Sequence, residues 1–376
     1  MKKNKILIVS TTDNMIWQFL IPHIKMLEER GNLVECVCSK TGFWFDELKN
    51  KYGFVMHEIG FTRLPLTLSN LKGLKQLYKL QKSNHYDLIY CQQPVGGLMG
   101  RLLAKKFKIP VIYTVHGFHF YDGCSLKRKL IYKNAEKFLS RFTDTIITVN
   151  DEDFNYASKM HAKNVFKING IGMKFDKYQP CNENKEEIKK SLGINENDYV
   201  ITTVAEFIYR KNYATMIRVA KKLKDEGFNF KYLICGRGKY EKKIKKQISK
   251  LGLENEIKLL GYRKDINRIL LASDLFFLAS FHEGLTLSVV EAMYFGLPCV
   301  VSNIRGNRDL IDNGFGGFLV APKDVKKFAF YIKEICNSNK LQKEMRKHNM
   351  EKSKQYSIDF VSSQLKNIYD NCNFKI

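Results

Sequence analysis

Apolar positions along this 376-residue chain switch repeatedly between two periods. Residues 5–10 (KILIVS) form a short β-rich run, residues 15–29 space their apolar side chains as a helix does, and residues 33–38 (LVECVC) read as a strand again. The alternation continues with strands over 87–91, 110–115 and 145–149 and helices around 97–107 and 127–142. After a polar, turn-rich stretch (QPCNENKEE, 179–187) it restarts, with strands at 199–204, 230–235, 256–260, 275–278, 299–302 and 317–320. Helices fall at 213–224, 266–272 and before Gly296-Leu297-Pro298, and three more close the chain at 325–337, 341–354 and 358–372.

Strands that alternate with helices belong to a parallel sheet covered on both faces. The restart makes two such sheets, so the fold class is α/β with two Rossmann-like domains. The first covers 1–178, a linker 179–196, the second 197–356, and a last helical segment, 357–376, is free to pack back on the first domain. Ligands of open parallel sheets bind beyond the carboxyl ends of the strands, so two facing sheets would place a site in a central cleft.

Composition narrows the class without naming a function. With 44% hydrophobic and 27% charged residues the chain is ordinary globular protein, which excludes disorder, collagen and coiled coil. No run approaches the roughly 18 to 20 apolar residues of a spanning helix, and residues 1–10 are too short for a signal peptide. Nine scattered cysteines contain no CxxC pair, which points to a reducing cytoplasm. The charge is the exception: 63 Lys and Arg against 38 Asp and Glu leave +25, favouring an anionic partner. Residues 61–140 concentrate it, with 14 basic against 3 acidic side chains.

Candidate chemistry is densest in FHEGLTLSVVEAMYFGLPCV, residues 281–300. Gly284 breaks structure, Thr286 or Ser288 can cap a helix, and Gly296 with Pro298 ends it. Glu283 therefore precedes a helix start and Glu291 lies about one turn inside. Backbone N–H groups at such a start attract phosphate, and the carboxylates can accept from sugar hydroxyls. The alternative is an amphipathic helix with a loop charge before it.

This segment resembles the retaining glycosyltransferases of family 4, whose two Rossmann-like domains form the arrangement called GT-B, and the similarity runs through nearly the whole chain. Its most specific element is Glu283 and Glu291 eight apart, with Gly284, Ala292, Met293, Gly296 and Pro298 in place. The resemblance implies that Glu283 contacts the transferred sugar, Glu291 the ribose of a nucleotide sugar, and the backbone of Gly284, Leu285 and Thr286 the diphosphate. It also implies diphosphate contacts from Lys211, with Arg210 as a second cation. Glu206 stands where the family often has an arginine, which removes a favourable contact. Gly236, in the turn Cys235–Gly238, suits close backbone approach to a phosphate or base, and Arg263 belongs to a loop like the one that brackets the nucleobase. His116, at the carboxyl end of the strand before HGFHF, matches a catalytic histidine; His119 reads as structural.

A narrower likeness is to enzymes that make capsule, exopolysaccharide or lipopolysaccharide chains, carried by HGFHF, PVGG (94–97), NGIG (169–172) and IRGNRDLI (304–311). Gln92-Gln93 departs from it, where His and Thr are common. The loop after the first strand lacks the family's glycines, and Asp13 and Asn14 are acceptor-side candidates there.

These readings imply transfer of a sugar, with retention, from a nucleoside diphosphate sugar (a UDP-sugar foremost) to a polyprenyl-linked or oligosaccharide acceptor. Cations and helix N-termini would stabilise the leaving group without a metal or other cofactor. Asp151-Glu152-Asp153 superficially matches a metal-binding DxD but sits where a helix begins, and His116 with His119 lacks a third ligand. The basic stretch suggests docking at the inner face of a membrane with anionic lipid, through Lys72, Lys75, Lys79, Lys105, Lys106, Lys127, Arg128 and Lys129. Two rivals are a nucleotide-sugar epimerase of the same architecture and a basic nucleic-acid-binding protein. No nucleic-acid partner is expected, because no recognised module or basic helix with interleaved aromatics is present.

Overall fold

A computed structural model of the chain describes residues 3–42, 44–65, 67–178 and 183–372. It divides into two compact units, residues 1–172 with 358–376, and residues 173–357.

The first unit is a seven-stranded parallel sheet in the order β3-β2-β1-β4-β5-β6-β7. Its strands are β1 (Lys5–Thr12), β2 (Leu33–Ser39), β3 (Val55–Glu58), β4 (Leu88–Gln92), β5 (Val111–Val115), β6 (Thr145–Thr148) and β7 (Asn164–Lys167). β1, β4 and β5 are buried almost throughout, as strands covered on both faces must be. Leu77, Met99 and Leu103 from helices Leu68–Asn84 and Pro94–Phe107 pack with Leu7, Ile89 and Tyr113 in one core. The predicted helix 15–29 is interrupted: a π-helical stretch, Ile16–Leu20, precedes helix Ile21–Glu29. Pro22 at its start has no N–H to continue the ladder.

The second unit is a six-stranded parallel sheet, β10-β9-β8-β11-β12-β13. It comprises β8 (Tyr199–Val204), β9 (Phe230–Cys235), β10 (Ile257–Gly261), β11 (Leu275–Leu278), β12 (Cys299–Ser302) and β13 (Gly317–Val320). Phe276, Phe277, Val300 and Phe328 are among the fully buried side chains of its core.

The domain limits differ from those expected. The division falls after Gly172, six residues before 178, and the expected linker 179–196 is largely part of the second unit. Asn184 and Glu187 cap helix Lys185–Ser191 reciprocally, and Ile188 is fully buried. Lys189 Nζ donates to the carbonyls of Glu196 and Asp198 at 2.8 and 2.9 Å. Capping and burial make this segment a structural element; residues 179–182 lie outside the described residues. The terminal helix Ile358–Asn371 groups with the first unit, where Gln364 accepts from the Asn169 N–H and Ile358 packs on Gly172. No helix of the described residues is long and apolar enough to cross a membrane.

Candidate active site

In the second unit the loops after β8, β11 and β12 converge on Glu283. The carboxylate is 5% exposed. Its Oε1 accepts from Lys211 Nζ at 2.7 Å, its Oε2 from Arg210, and its backbone carbonyl from Arg305 Nε at 2.9 Å. Burial pushes the carboxyl pKa up, but Lys211 and Arg210, with the hydrogen bonds they donate, hold it below the ordinary value. Two cations on one carboxylate leave the spot net positive.

Local structure explains the convergence. Arg210 and Lys211 form a 3-10 turn, Tyr209–Lys211, ended by Asn212 in the left-handed conformation at φ 55°. The Asn212 side chain donates to the carbonyls of Ala279 and Pro322 at 2.9 and 2.8 Å, and the Phe281 N–H donates to the Arg210 carbonyl at 2.8 Å. Gly306 lies against the Glu283–Gly284 turn: a Cβ there would stand 2.3 Å from the Gly284 carbonyl oxygen. Thr286 occupies the N-cap of helix Leu287–Tyr294, yet its hydroxyl donates to Asn307 Oδ1 at 2.7 Å and makes no side-chain cap. Ser288 is inside the helix. The start of the helix thus keeps backbone donors at Leu285–Ser288 outside any side-chain cap, beside the cations.

Other expected donor residues are placed differently. Glu291 Oε1 accepts from the Tyr178 hydroxyl and from Lys177 Nζ at 3.4 Å, so one of its oxygens already has partners on the turn that opens the unit. Gly236 packs against protein backbone, where a Cβ would stand 2.0 Å from the Ala205 carbonyl oxygen; the glycine seats β9's loop on the loop after β8. Arg263 Nε donates to Asp265 Oδ1 at 2.8 Å within its own loop, and Arg237 stacks over Tyr262 at 4.8 Å. Glu206 is exposed to solvent.

In the first unit His116 follows β5, and its Nε2 lies 2.7 Å from Gln92 Oε1 at the end of β4. That bond, with Nε2–H donating, leaves Nδ1 as an acceptor for a hydroxyl. Burial first, then the neighbouring His23, pushes the His116 pKa down to about 3, so the imidazole is neutral at physiological pH. Gln93, at φ 62°, accepts from the Thr11 N–H at 3.1 Å and fixes the carboxyl end of β1. Both glutamines that depart from the family pattern therefore carry structural contacts. Asp13 is fully buried, its carboxylate accepting from the N–H groups of Thr41 at 3.0 Å and Asn14 at 2.8 Å, and from the Thr41 hydroxyl. Asn14 remains half-buried at the surface.

Asn150, the residue before the acidic triplet, is the N-cap of helix Asp151–Ala157. Buried Asp153 accepts from Asn150 Nδ2 at 2.7 Å, and Asp151 from Lys167 at 2.6 Å. His119 stacks on Tyr132 at 5.1 Å. Among the described residues no group of three His, Cys, Asp or Glu is arranged to hold a metal. The sequence assigned no role in these sites to Arg305, Asn307, Tyr178 or Gln92; the contacts that bring them in, with Glu283, Thr286, Glu291 and His116, span 22, 21, 113 and 24 positions.

Residues 184–352 match the family described as glycosyl transferases group 1, and residues 5–150 that described as glycosyl transferase 4-like. The chain is 35% identical over 268 residues, 69% of either protein, to the Escherichia coli UDP-Gal:alpha-D-GlcNAc-diphosphoundecaprenol alpha-1,3-galactosyltransferase. It is 26% identical to the capsular polysaccharide biosynthesis glycosyltransferase CapM of Staphylococcus aureus, over 98% of both chains. Its fold is shared with HepE of Anabaena, solved in complex with UDP and glucose, at a TM-score of 0.79 and 19% identity over 98% of this chain and 99% of that one.

Proposed function

Because this chain belongs to the group 1 glycosyltransferases, with a glycosyl transferase 4-like first half, we propose that it moves a sugar from a UDP-sugar to a lipid-linked or growing glycan during assembly of a bacterial surface polysaccharide. The observation that carries this is the Lys211–Arg210–Glu283 cluster beside the uncapped start of helix Leu287–Tyr294. In the transfer, the bond from the anomeric carbon to the diphosphate oxygen breaks and a bond to the acceptor hydroxyl oxygen forms, on the same face of the sugar. The acceptor proton leaves with the nucleoside diphosphate. Lys211 and Arg210 counter the charge that develops on the diphosphate, and the backbone donors at Leu285–Ser288 add to it. In this reading these groups do the work of a divalent cation, and none is required.

Glu283 accepts from a hydroxyl of the transferred sugar and Glu291 from the ribose, exchanging its bond with Tyr178. His116, neutral, accepts a sugar hydroxyl through Nδ1. Gly236 and Arg263 shape the nucleobase side, and Asn14, next to the structurally committed Asp13, faces the acceptor. The diphosphoundecaprenol-linked acceptor in the name of the Escherichia coli relative supports a reaction at a membrane face, to which the basic residues of 61–140 would be attracted.

Thermal shift against UDP-, GDP- and dTDP-sugars tests the donor, since a ligand at 100 times its dissociation constant adds about 2.7 kcal/mol. A UDP-sugar is expected to give the largest shift, and transfer of label to a lipid extract in EDTA, with the anomeric configuration read from the product, tests the rest. No shift with any sugar nucleotide, or an epimerised free nucleotide as the product, would overturn the proposal.

A further inference from the structure

Helix Leu126–Leu139 is anchored along one side only. Its inward residues are Tyr132, packed on the core of the first unit, Leu139, which is buried, and Glu136, paired at 2.8 Å with the fully buried guanidinium of Arg101. Its other large aliphatic and aromatic side chains face water: Leu126 is 79% exposed, Leu130 63%, Ile131 56% and Phe138 51%. At about 100° per residue these four fall within an arc of roughly 140° on the outward side; Lys127 and Lys137 point into the same arc, and Lys133 borders it, about 20° beyond its edge. None of these three lysines pairs with a carboxylate among the described residues, nor does Lys105, whose Nζ lies 3.9 Å from the Phe142 ring beside Phe138. A second exposed apolar group, Leu64, Leu68 and Leu71, stands at the start of helix Leu68–Asn84, which sends Leu77 into the same core that Tyr132 covers.

Large apolar side chains clustered on one exposed face of a helix mark an interaction surface. The charge says with what. Residues 61–140 carry 14 basic and 3 acidic side chains, and the exposed leucines alternate with lysines whose long stems can lie along apolar surface while the ammonium stays higher. That layering matches hydrocarbon beneath a plane of phosphate. We propose that helix Leu126–Leu139 is an interfacial anchor: Leu126, Leu130, Ile131 and Phe138 enter the acyl boundary of an anionic bilayer, and Lys127, Lys133 and Lys137 meet its phosphates. This deepens the proposed function, in which the acceptor is lipid-linked, by naming the element that inserts and adding an apolar contribution that charge alone does not supply.

The test is flotation of the full-length protein with vesicles of mixed phosphatidylglycerol and phosphatidylcholine, at low and high salt. Wild type is expected to bind, and to keep part of its binding at high salt because insertion is not screened. Leu126→Ser/Leu130→Ser/Phe138→Ser is expected to lose at least about tenfold in partitioning. A Leu130→Trp variant, which removes no apolar contact, is expected to shift its emission to the blue with these vesicles and not with pure phosphatidylcholine. Flotation of the triple variant at wild-type levels, or complete release of wild type by salt, overturns the anchor. So does a triple variant that only changes oligomeric state, which would make a second copy of the chain the occupant. Transfer to a water-soluble acceptor, measured in parallel, separates the two readings: flotation without transfer refutes the transferase, and transfer without flotation refutes the anchor.

Discussion

Lys211 Nζ stands 2.7 Å from Glu283 Oε1, and Arg210 closes on the other oxygen of the same buried carboxylate. The pair is both a support for the turn at 281–286 and a competitor for any anion. A diphosphate that draws on Lys211 or Arg210 must take hydrogen bonds that Glu283 now holds. Glu283→Gln removes the competing charge, so UDP affinity should stay level or rise by a few fold while turnover falls by about 100-fold or more. Isothermal titration beside steady-state rates checks the split; loss of UDP binding together with turnover would count against it.

Lys211→Met acts in the opposite sense. It leaves Glu283 buried with Arg210 as its remaining cation and deprives the diphosphate of a contact. Breaking a buried pair outright costs about 3–5 kcal/mol, so with one partner retained a loss of about 2 kcal/mol is expected. The donor KM should rise by at least tenfold. Urea unfolding and donor titration report the two effects separately.

The sheets were legible where strands are buried on both faces, because continuous apolar runs such as 275–278 and 299–302 have few other solutions. Two edge strands, Val55–Glu58 and Asn164–Lys167, were not read: they are half-exposed and mixed in polarity, so neither apolar run nor alternation marks them. The Asn184–Glu187 capping box was present in the sequence, but the polar composition around it favoured a linker. Within the site, the helix start after Glu283 could be read from spacing. Its salt bridge to Lys211 spans 72 positions and the Tyr178–Glu291 bond 113, and no local pattern encodes contacts that only the sheet's register creates.

Gly306 holds the turn at 283–284 by having no side chain. Its φ is 79°, and a methyl group would meet the Gly284 carbonyl oxygen at 2.3 Å, inside any permitted contact. Gly306→Ala must move one of the two loops, which separates Arg305 from the Glu283 carbonyl. We expect a destabilisation of about 1–3 kcal/mol and a tenfold or greater rise in donor KM. Wild-type donor affinity in this variant would show that the contact does not shape the site.

Arg101 is the only arginine among the largest fully buried side chains of the described residues; it donates to the Gly97 carbonyl at 2.9 Å and to Glu136 at 2.8 Å, and stacks over Tyr113 at 4.1 Å. Glu136→Ala strands this charge and should cost the first unit about 3 kcal/mol or more. Both tryptophans of the chain, Trp17 and Trp44, lie in that unit with ring centroids 3.7 Å apart, so their fluorescence follows its unfolding selectively. A midpoint in urea unchanged from wild type would refute the pairing.

The same fluorescence tests the two depressed histidines. His23 is 2% exposed with Nε2 at 3.0 Å from the Ile171 carbonyl, and burial takes its pKa down to about 4 against that hydrogen bond. His116 is pushed to about 3. Both folded values lie below the ordinary 6.5 of an unfolded histidine, so between about pH 6.5 and 4 the unfolded chain binds protons that the folded chain does not. Stability of the first unit must then rise with pH through that window and level off above it. One fully withheld proton gives about 1.4 kcal/mol per pH unit, and the share of His116, which is partly solvent-exposed, is smaller. The carboxyls held low, Glu283 among them, add a slope of the same sign that fades as pH rises above the ordinary carboxylate range. His23→Gln keeps a donor for Ile171 without an ionisable ring, so urea midpoints followed from pH 5 to 7.5 should show a flatter slope for the variant by up to about one proton. An identical slope would mean that His23 takes up its proton in the folded state. Since His116 stays neutral throughout the same range, turnover should show no inflection near 6.5 that His116→Gln abolishes.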